Sequence, residues 1–216
     1  MITSRILELQ MSHAHSWPME HVAGVLSRGG VVAYPTETIY GLGVDAFNET
    51  AIGRLLEIKR RPVAKPVSVL VRDIDMLRRV VARVPAVAQD IMGRFWPGPV
   101  TIIFPASEAV PAILTAHTGT VGVRISPHPF VERLFRFFNA PLTSTSANIS
   151  GGSSLVEPED IRRTFGGRID LVISMPESIG GVRSTVIDVT GDRPKTLRTG
   201  AVDTTDICGE GNEPGT

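Results

Sequence analysis

Tyr34-Pro-Thr-Glu-Thr-Ile-Tyr-Gly-Leu-Gly43, which grows out of the apolar run Val31–Tyr34, decides how this chain is read. A β-branched run that ends in proline, small hydroxyl residues and two glycines marks a strand end. There an α/β sheet presents backbone groups and hydroxyls to a ligand. The plainer reading is a tight turn whose hydroxyls bond their own backbone, and composition alone favours it. The segment is not a Walker loop, because no G-x-x-x-x-G-K-[ST] occurs in the chain.

Outward from this segment, short β-branched runs alternate with helix-period segments. Pro18–Leu26 reads as a helix broken by Gly29-Gly30 before the strand Val31–Tyr34. Asn48 is placed to cap a helix running to Lys59, whose Ala51, Ile52, Leu55, Leu56 and Ile58 form an apolar stripe. Val67–Val71 reads as a buried strand. Further helices are predicted at Ile74–Val81, Pro85–Phe95, Pro129–Phe138 and Pro158–Phe165. Strands are predicted at Val100–Phe104, Val121–Ile125, Ile169–Ile173, Thr185–Val189 and Lys195–Arg198. The alternation predicts an α/β (α+β) domain: a twisted mixed sheet flanked by helices. Ile6 and Leu7 are candidates to dock onto it. The stretch from Asp203 to Thr216, poor in apolar residues and rich in Gly, Asp and Glu, is read as a disordered tail.

The 216 residues suit one large domain able to bury roughly 70% of its unfolded surface. Lys plus Arg total 22 and Asp plus Glu total 22, a balance that argues against a non-specific nucleic-acid coat. A single cysteine, Cys208, excludes an internal disulfide and points to a reducing, cytoplasmic setting. No apolar run is long enough for a membrane span, and the first residues lack the pattern of a secretory signal.

Two further segments carry chemistry. Lys59-Arg60-Arg61-Pro62-Val63-Ala64-Lys65-Pro66 crowds four cations into one loop, where they repel one another unless anions or solvent lie among them. Lys59 and Lys65 can serve as point charges and Arg61 as a fork for a phosphate. The alternative is a solvated basic helix end that complements the helix dipole. Pro141-Leu-Thr-Ser-Thr-Ser-Ala-Asn-Ile-Ser-Gly-Gly152 offers compact donors to a ribose, a phosphate or an amino acid, or is simply a polar loop. Gly119–Arg124, Ser184–Asp188 and Thr196–Arg198 add an arginine or a hydroxyl pair at strand ends.

In this order the segments resemble the YrdC/TsaC family, from about Gly29 to Gly200. The carrying motifs are K-x-R at Lys59-Arg60-Arg61 and S-x-N at Ser146-Ala147-Asn148, with the Tyr34–Gly43 run and Val123-Arg124 before His128-Pro129. The resemblance implies a YrdC-like catalytic domain over 15–202 with a large concave basic surface, in the short single-domain form. It implies synthesis of threonylcarbamoyl-AMP and pyrophosphate from L-threonine, bicarbonate and ATP with Mg²⁺. A separate transferase complex would then pass the threonylcarbamoyl group to tRNA. Carried over position by position, Lys59 and Arg61 act at the phosphates. Thr120, Ser146, Asn148, Arg198 and, more softly, Ser154 line the nucleotide side. Thr36, Arg124, Ser144, Ser184 and, more softly, Ser68 line the threonine side. Three positions depart from the family pattern: Val67–Val71 lacks a histidine, Arg183 stands where proline is common, and Thr199 interrupts Arg-Pro-Gly.

His13, His15 and His21 have no acidic or cysteine partners near them in sequence, so no protein metal site is expected. His128 reads as a cap, His117 as a loop residue near ligand or on the surface, and Trp96 as part of a packed turn. The rival enzyme class, relatives that handle carbamoyl phosphate, shares the basic loop within longer chains bearing zinc fingers. The rival of another class is a non-catalytic, translation-associated module whose basic surface contacts double-stranded RNA. Its binding would fall steeply with salt.

Overall fold

The apolar stripe predicted for the helix capped by Asn48 buries as predicted, and the first helix buries one as well. Met19, Val22, Ala23 and Leu26 of α1 (Met19–Ser27) share one face in the core. In α2 (Glu49–Lys59) the same is true of Ile52, Leu55 and Leu56, each contributing about 1.5–3 kcal/mol on burial. Asn48 caps α2, its Oδ1 accepting from the Ala51 N–H at 3.0 Å. Arg60, in the left-handed conformation at φ 51°, ends the helix. The computed structural model describes residues 5–175 and 181–204. Cys208 and nearly all of the expected tail, 205–216, lie outside the described residues.

The remaining helices are α3 (Ile74–Val80), α4 (Ala86–Phe95), α5 (Pro129–Leu134) and α6 (Pro158–Phe165). The strands, in chain order, are β1 (Arg5–Glu8), β2 (Val32–Tyr34), β3 (Gly41–Gly43), β4 (Ser68–Leu70) and β5 (Val100–Pro105). They continue with β6 (Thr120–Arg124), β7 (Leu142–Ser146), β8 (Leu171–Ser174), β9 (Thr185–Asp188) and β10 (Lys195–Arg198). The ten form one mixed sheet in the order β1-β8-β2-β3-β7-β4-β6-β5-β9-β10. The fold class is therefore as expected, a twisted mixed sheet flanked by helices. Among the described residues no helix is long and apolar enough to cross a membrane.

Three elements differ from the sequence reading. Gly41-Leu42-Gly43 and Leu142–Ser146, read as loops, are neighbouring strands in the middle of the sheet. The glycines of β3 are there for room. A Cβ at Gly43 would stand 2.6 Å from Tyr34 Cε1 and 2.8 Å from Leu142 Cδ1. Strand β7 is almost all hydroxyl side chains, and burial is tolerable because the structure bonds them. Thr143 Oγ1 accepts from the Val44 N–H at 2.9 Å, for example. Predicted helix Pro129–Phe138 stops as a helix at Leu134 and continues as turns to Phe138. Ile6 and Leu7 do dock, as β1 in parallel register with Val172 and Ile173 of β8. His128 caps α5 as expected, its Nδ1 accepting from the Phe130 N–H at 3.2 Å.

Candidate active site

A cleft of about 200 Å³ crosses one half of the sheet. Its lining draws on seven strands that are consecutive in the sheet, from Gly41 of β3 to Arg198 of β10. The turn Thr38–Tyr40 before β3 closes one end, and Arg61 and Pro66 of the basic loop stand beside it. Hydroxyls form the floor. Ser68 of β4 and Ser144 of β7 are cross-strand partners, so their side chains stand side by side on one face. Thr101 Oγ1 of β5 and Ser184 Oγ are 2.9 Å apart and bonded.

Charge in the cleft is one-sided although the whole chain is neutral. Arg61, Arg124, Arg183 and Arg198 line it, and among the described residues no Asp or Glu does. Arg198 is anchored by its Nε and Nη2 donating to the Ser184 carbonyl at 3.1 and 2.9 Å. Burial, then the like charges of Arg183 and Arg124, lower its pKa. Arg61 is held by the loop that carries it, donating to the carbonyls of Lys65 and Pro66 at 3.1 and 2.7 Å. Burial lowers Arg61 as well. Arg124 is the exception among the four. Its guanidinium is ion-paired with Glu37, whose other oxygen accepts from the Ser126 hydroxyl.

Lys59 sits behind this lining, 1% exposed. Its ammonium donates to the Ser146 carbonyl, to the Asn148 carbonyl at 2.7 Å and to Asn148 Oδ1 at 3.2 Å. All three protons therefore have acceptors, none of them anionic. Burial, with Arg61 and Arg183 adding repulsion, pushes the group down to about 7. Three opposed facts thus meet at one side chain: a cation, a dry site and carbonyl oxygens aimed at it.

The structure brings together Arg61, Ser68, Arg124, Ser144, Ser146, Ser184 and Arg198 of the expected residues. It sets others back. Thr36 is 1% exposed and shapes the turn, its Oγ1 bonding Thr38 Oγ1 at 2.8 Å and the Ile39 carbonyl at 2.7 Å. Asn148 fixes the chain behind Ser146, its Oδ1 accepting from the Ser146 hydroxyl at 2.6 Å. Thr120 stands at the start of β6 bonded to Thr118 at 3.0 Å, outside the lining. Ser154 reaches the site through Arg183, whose Nη2 donates to its Oγ at 3.2 Å.

Glu37, Thr38 and Thr101 were not singled out from sequence. Thr101 had a signal, as the one hydroxyl inside the apolar run Val100–Phe104. Glu37 had none, because its partners Arg124 and Ser126 lie 87 and 89 residues away.

Such a cleft suits an anionic ligand. It offers hydroxyls and guanidiniums, so its chemistry is positioning and charge neutralisation rather than covalent attack by a side chain. Among the described residues no three His, Cys, Asp or Glu side chains come together.

Comparison with known proteins agrees with this geometry. Residues 24–200 match the Sua5/YciO/YrdC family model, described under telomere recombination. The threonylcarbamoyl-AMP synthase of Pyrococcus abyssi is 38% identical over 186 residues, which is 86% of this chain and 55% of that protein. The chain thus spans little more than half that relative's length. A synthase of the same name from Vibrio vulnificus is 40% identical over 157 residues, 72% of this chain and 84% of its own. The structure of P. abyssi Sua5 complexed with L-threonine superposes with a TM-score of 0.90 at 34% identity, covering 96% of this chain and 62% of that one.

Proposed function

Since the chain belongs to the Sua5/YciO/YrdC family, we propose that it is an L-threonylcarbamoyladenylate synthase, a nucleotidyltransferase. It makes threonylcarbamoyl-AMP and pyrophosphate from L-threonine, bicarbonate and ATP. A threonylcarbamoyl transferase complex then consumes the product in tRNA modification, in the cytoplasm. The observation that carries this reading is the cleft itself, lined among the described residues by four guanidiniums and a hydroxyl floor with no carboxylate.

In the proposed reaction the threonine amine takes up carbon dioxide and loses a proton, giving an N-carboxylate. A carboxylate oxygen attacks the α-phosphorus as the bond to the β-phosphate oxygen breaks, and pyrophosphate leaves. Both partners are anions, so repulsion must be cancelled before they can meet. Arg124 receives the carboxylate of threonine, with Ser68, Ser144 and Ser184 around it. Arg61, Arg198 and Ser146 hold the nucleotide. Lys59 fixes Ser146 and Asn148 from behind and places one more positive charge near the phosphates. Mg²⁺ enters with ATP as part of the substrate. Thr36 and Asn148 act by shaping the walls, while Thr120 and Ser154 border the nucleotide from outside the floor. The catalytic domain is assigned to 15–202.

Pyrophosphate release from ATP, Mg²⁺ and bicarbonate, with and without L-threonine, tests the reading. Threonine-dependent release that Arg61→Ala abolishes is expected. Folded protein that releases none, yet binds double-stranded RNA with a steep salt dependence, would replace it with the RNA-binding module.

A further inference from the structure

Arg183 occupies a distinctive place in the cleft. Its side chain lines the cavity, and its positive charge adds to the repulsion felt by both Lys59 and Arg198. Its partner there is a neutral hydroxyl, Ser154 Oγ at 3.2 Å, on the turn that follows Asn148. Among the described residues it forms no ion pair. A guanidinium has five N–H donors, so most of this one remain for something else.

The backbone beneath it is held firmly. The Gly181 N–H donates to the Thr38 carbonyl at 2.7 Å, and the Ala201 N–H to the Arg183 carbonyl at 2.9 Å. Gly200 permits that second contact, since a Cβ there would lie 2.3 Å from the Arg183 oxygen. The backbone is thus held while the exposed side chain reaches Ser154. Proline, which the family pattern favours at this position, could supply neither the charge nor the bond.

We infer that Arg183 is a phosphate-binding residue that latches the empty cleft through Ser154 and transfers to the phosphate chain of ATP when the nucleotide enters. The inference rests on the synthase reading and adds to it a specificity residue for the nucleotide. The exchange is favourable in kind, because a phosphate offers the guanidinium a charged, bidentate acceptor where the hydroxyl offers one neutral oxygen. It also relieves the repulsion among Arg183, Arg198 and Lys59 by placing negative charge between them.

Dissociation constants of the full-length chain for ATP, AMP and L-threonine, measured by calorimetry, test this with Arg183→Ala, Arg183→Pro and Arg183→Lys. Loss of one charge-assisted contact predicts ATP binding weakened about tenfold to a hundredfold in Arg183→Ala. AMP is expected to lose less, threonine affinity to stay within about twofold, and Arg183→Lys to recover part of the loss by charge alone. Arg183→Pro should behave like Arg183→Ala. Unchanged ATP affinity in Arg183→Ala would overturn the inference and leave the synthase reading standing. Equal loss of ATP, AMP and threonine with a lowered melting temperature would also overturn it, as the mark of a merely structural residue. Wild-type protein that binds no ATP at all would remove the synthase reading and this inference together.

Discussion

Raising the pH from 7 to 9 should stabilise this protein through Lys59, against the habit of buried ion pairs. The side chain is 1% exposed, and its pKa falls from 10.5 in the unfolded chain to about 7 in the fold. Between those values the unfolded state binds the proton and the folded state does not, so stability rises with pH through that window. Below pH 7 both states are protonated and the contribution is flat. Two pH units inside the window correspond to about 2 kcal/mol, allowing for half-protonation of the folded state at pH 7. Urea unfolding of wild type and Lys59→Met at pH 7, 8 and 9 isolates the term, since Lys59→Met lacks it and other titrations cancel. The chain has only three lysines, Lys59, Lys65 and Lys195, so NMR of labelled lysine can follow Lys59 directly. A midpoint near 10 and no difference in slope between the two proteins would refute the reasoning. It would mean that the carbonyls of Ser146 and Asn148 outweigh desolvation and the repulsion of Arg61 and Arg183. With a midpoint near 7, half the unliganded molecules at neutral pH lack this positive charge. ATP affinity should then decline as pH climbs from 7 to 8.

Glu37→Ala strands the Arg124 guanidinium, whose side chain is 5% exposed, and should cost about 3 kcal/mol in urea unfolding. No measurable loss would show that water or a neighbouring hydroxyl replaces the carboxylate. Gly200→Ala forces a Cβ to within 2.3 Å of the Arg183 carbonyl oxygen, and the shift it causes should raise the KM for ATP more than that for threonine. Equal changes in both would place the disturbance elsewhere. Asn48→Ala removes the cap of α2 and should lower stability by about 1 kcal/mol in thermal or urea unfolding while leaving both substrate affinities unchanged.

Much of the architecture was legible because periodicity survives in one dimension. Helices α1, α2 and α6 carry their apolar stripes openly, and strands β5 and β9 are β-branched. Strands β3 and β7 were not legible, for related reasons. Gly41 and Gly43 make way for the Tyr34 ring, and Leu142–Ser146 is hydroxyl-rich because its strand is part of the cleft floor. Close packing in one strand and the polar lining of the cleft in the other overrode the pattern that announces a strand. In the site, the motifs marked Arg61, Ser146 and Arg198 but also Thr36 and Asn148, whose bonds turn inward. Nothing in one dimension separates a serine that faces a ligand from one that braces a turn.

The sequence by itself determined the mixed α/β class, the helix stripes, the capping of α2 by Asn48 and the ordered set of basic and hydroxyl segments. Those follow from local propensity and from spacing, which act between near neighbours. Only the tertiary structure decided that a chain of zero net charge holds four arginines around one cleft. It alone paired Glu37 with Arg124, buried Lys59 among carbonyls and stretched Arg183 to Ser154. Each of these joins segments that lie 29 to 89 residues apart in the chain. Groups so gathered interact only once the fold holds them in contact, because Coulomb and hydrogen-bond energies fall off with distance.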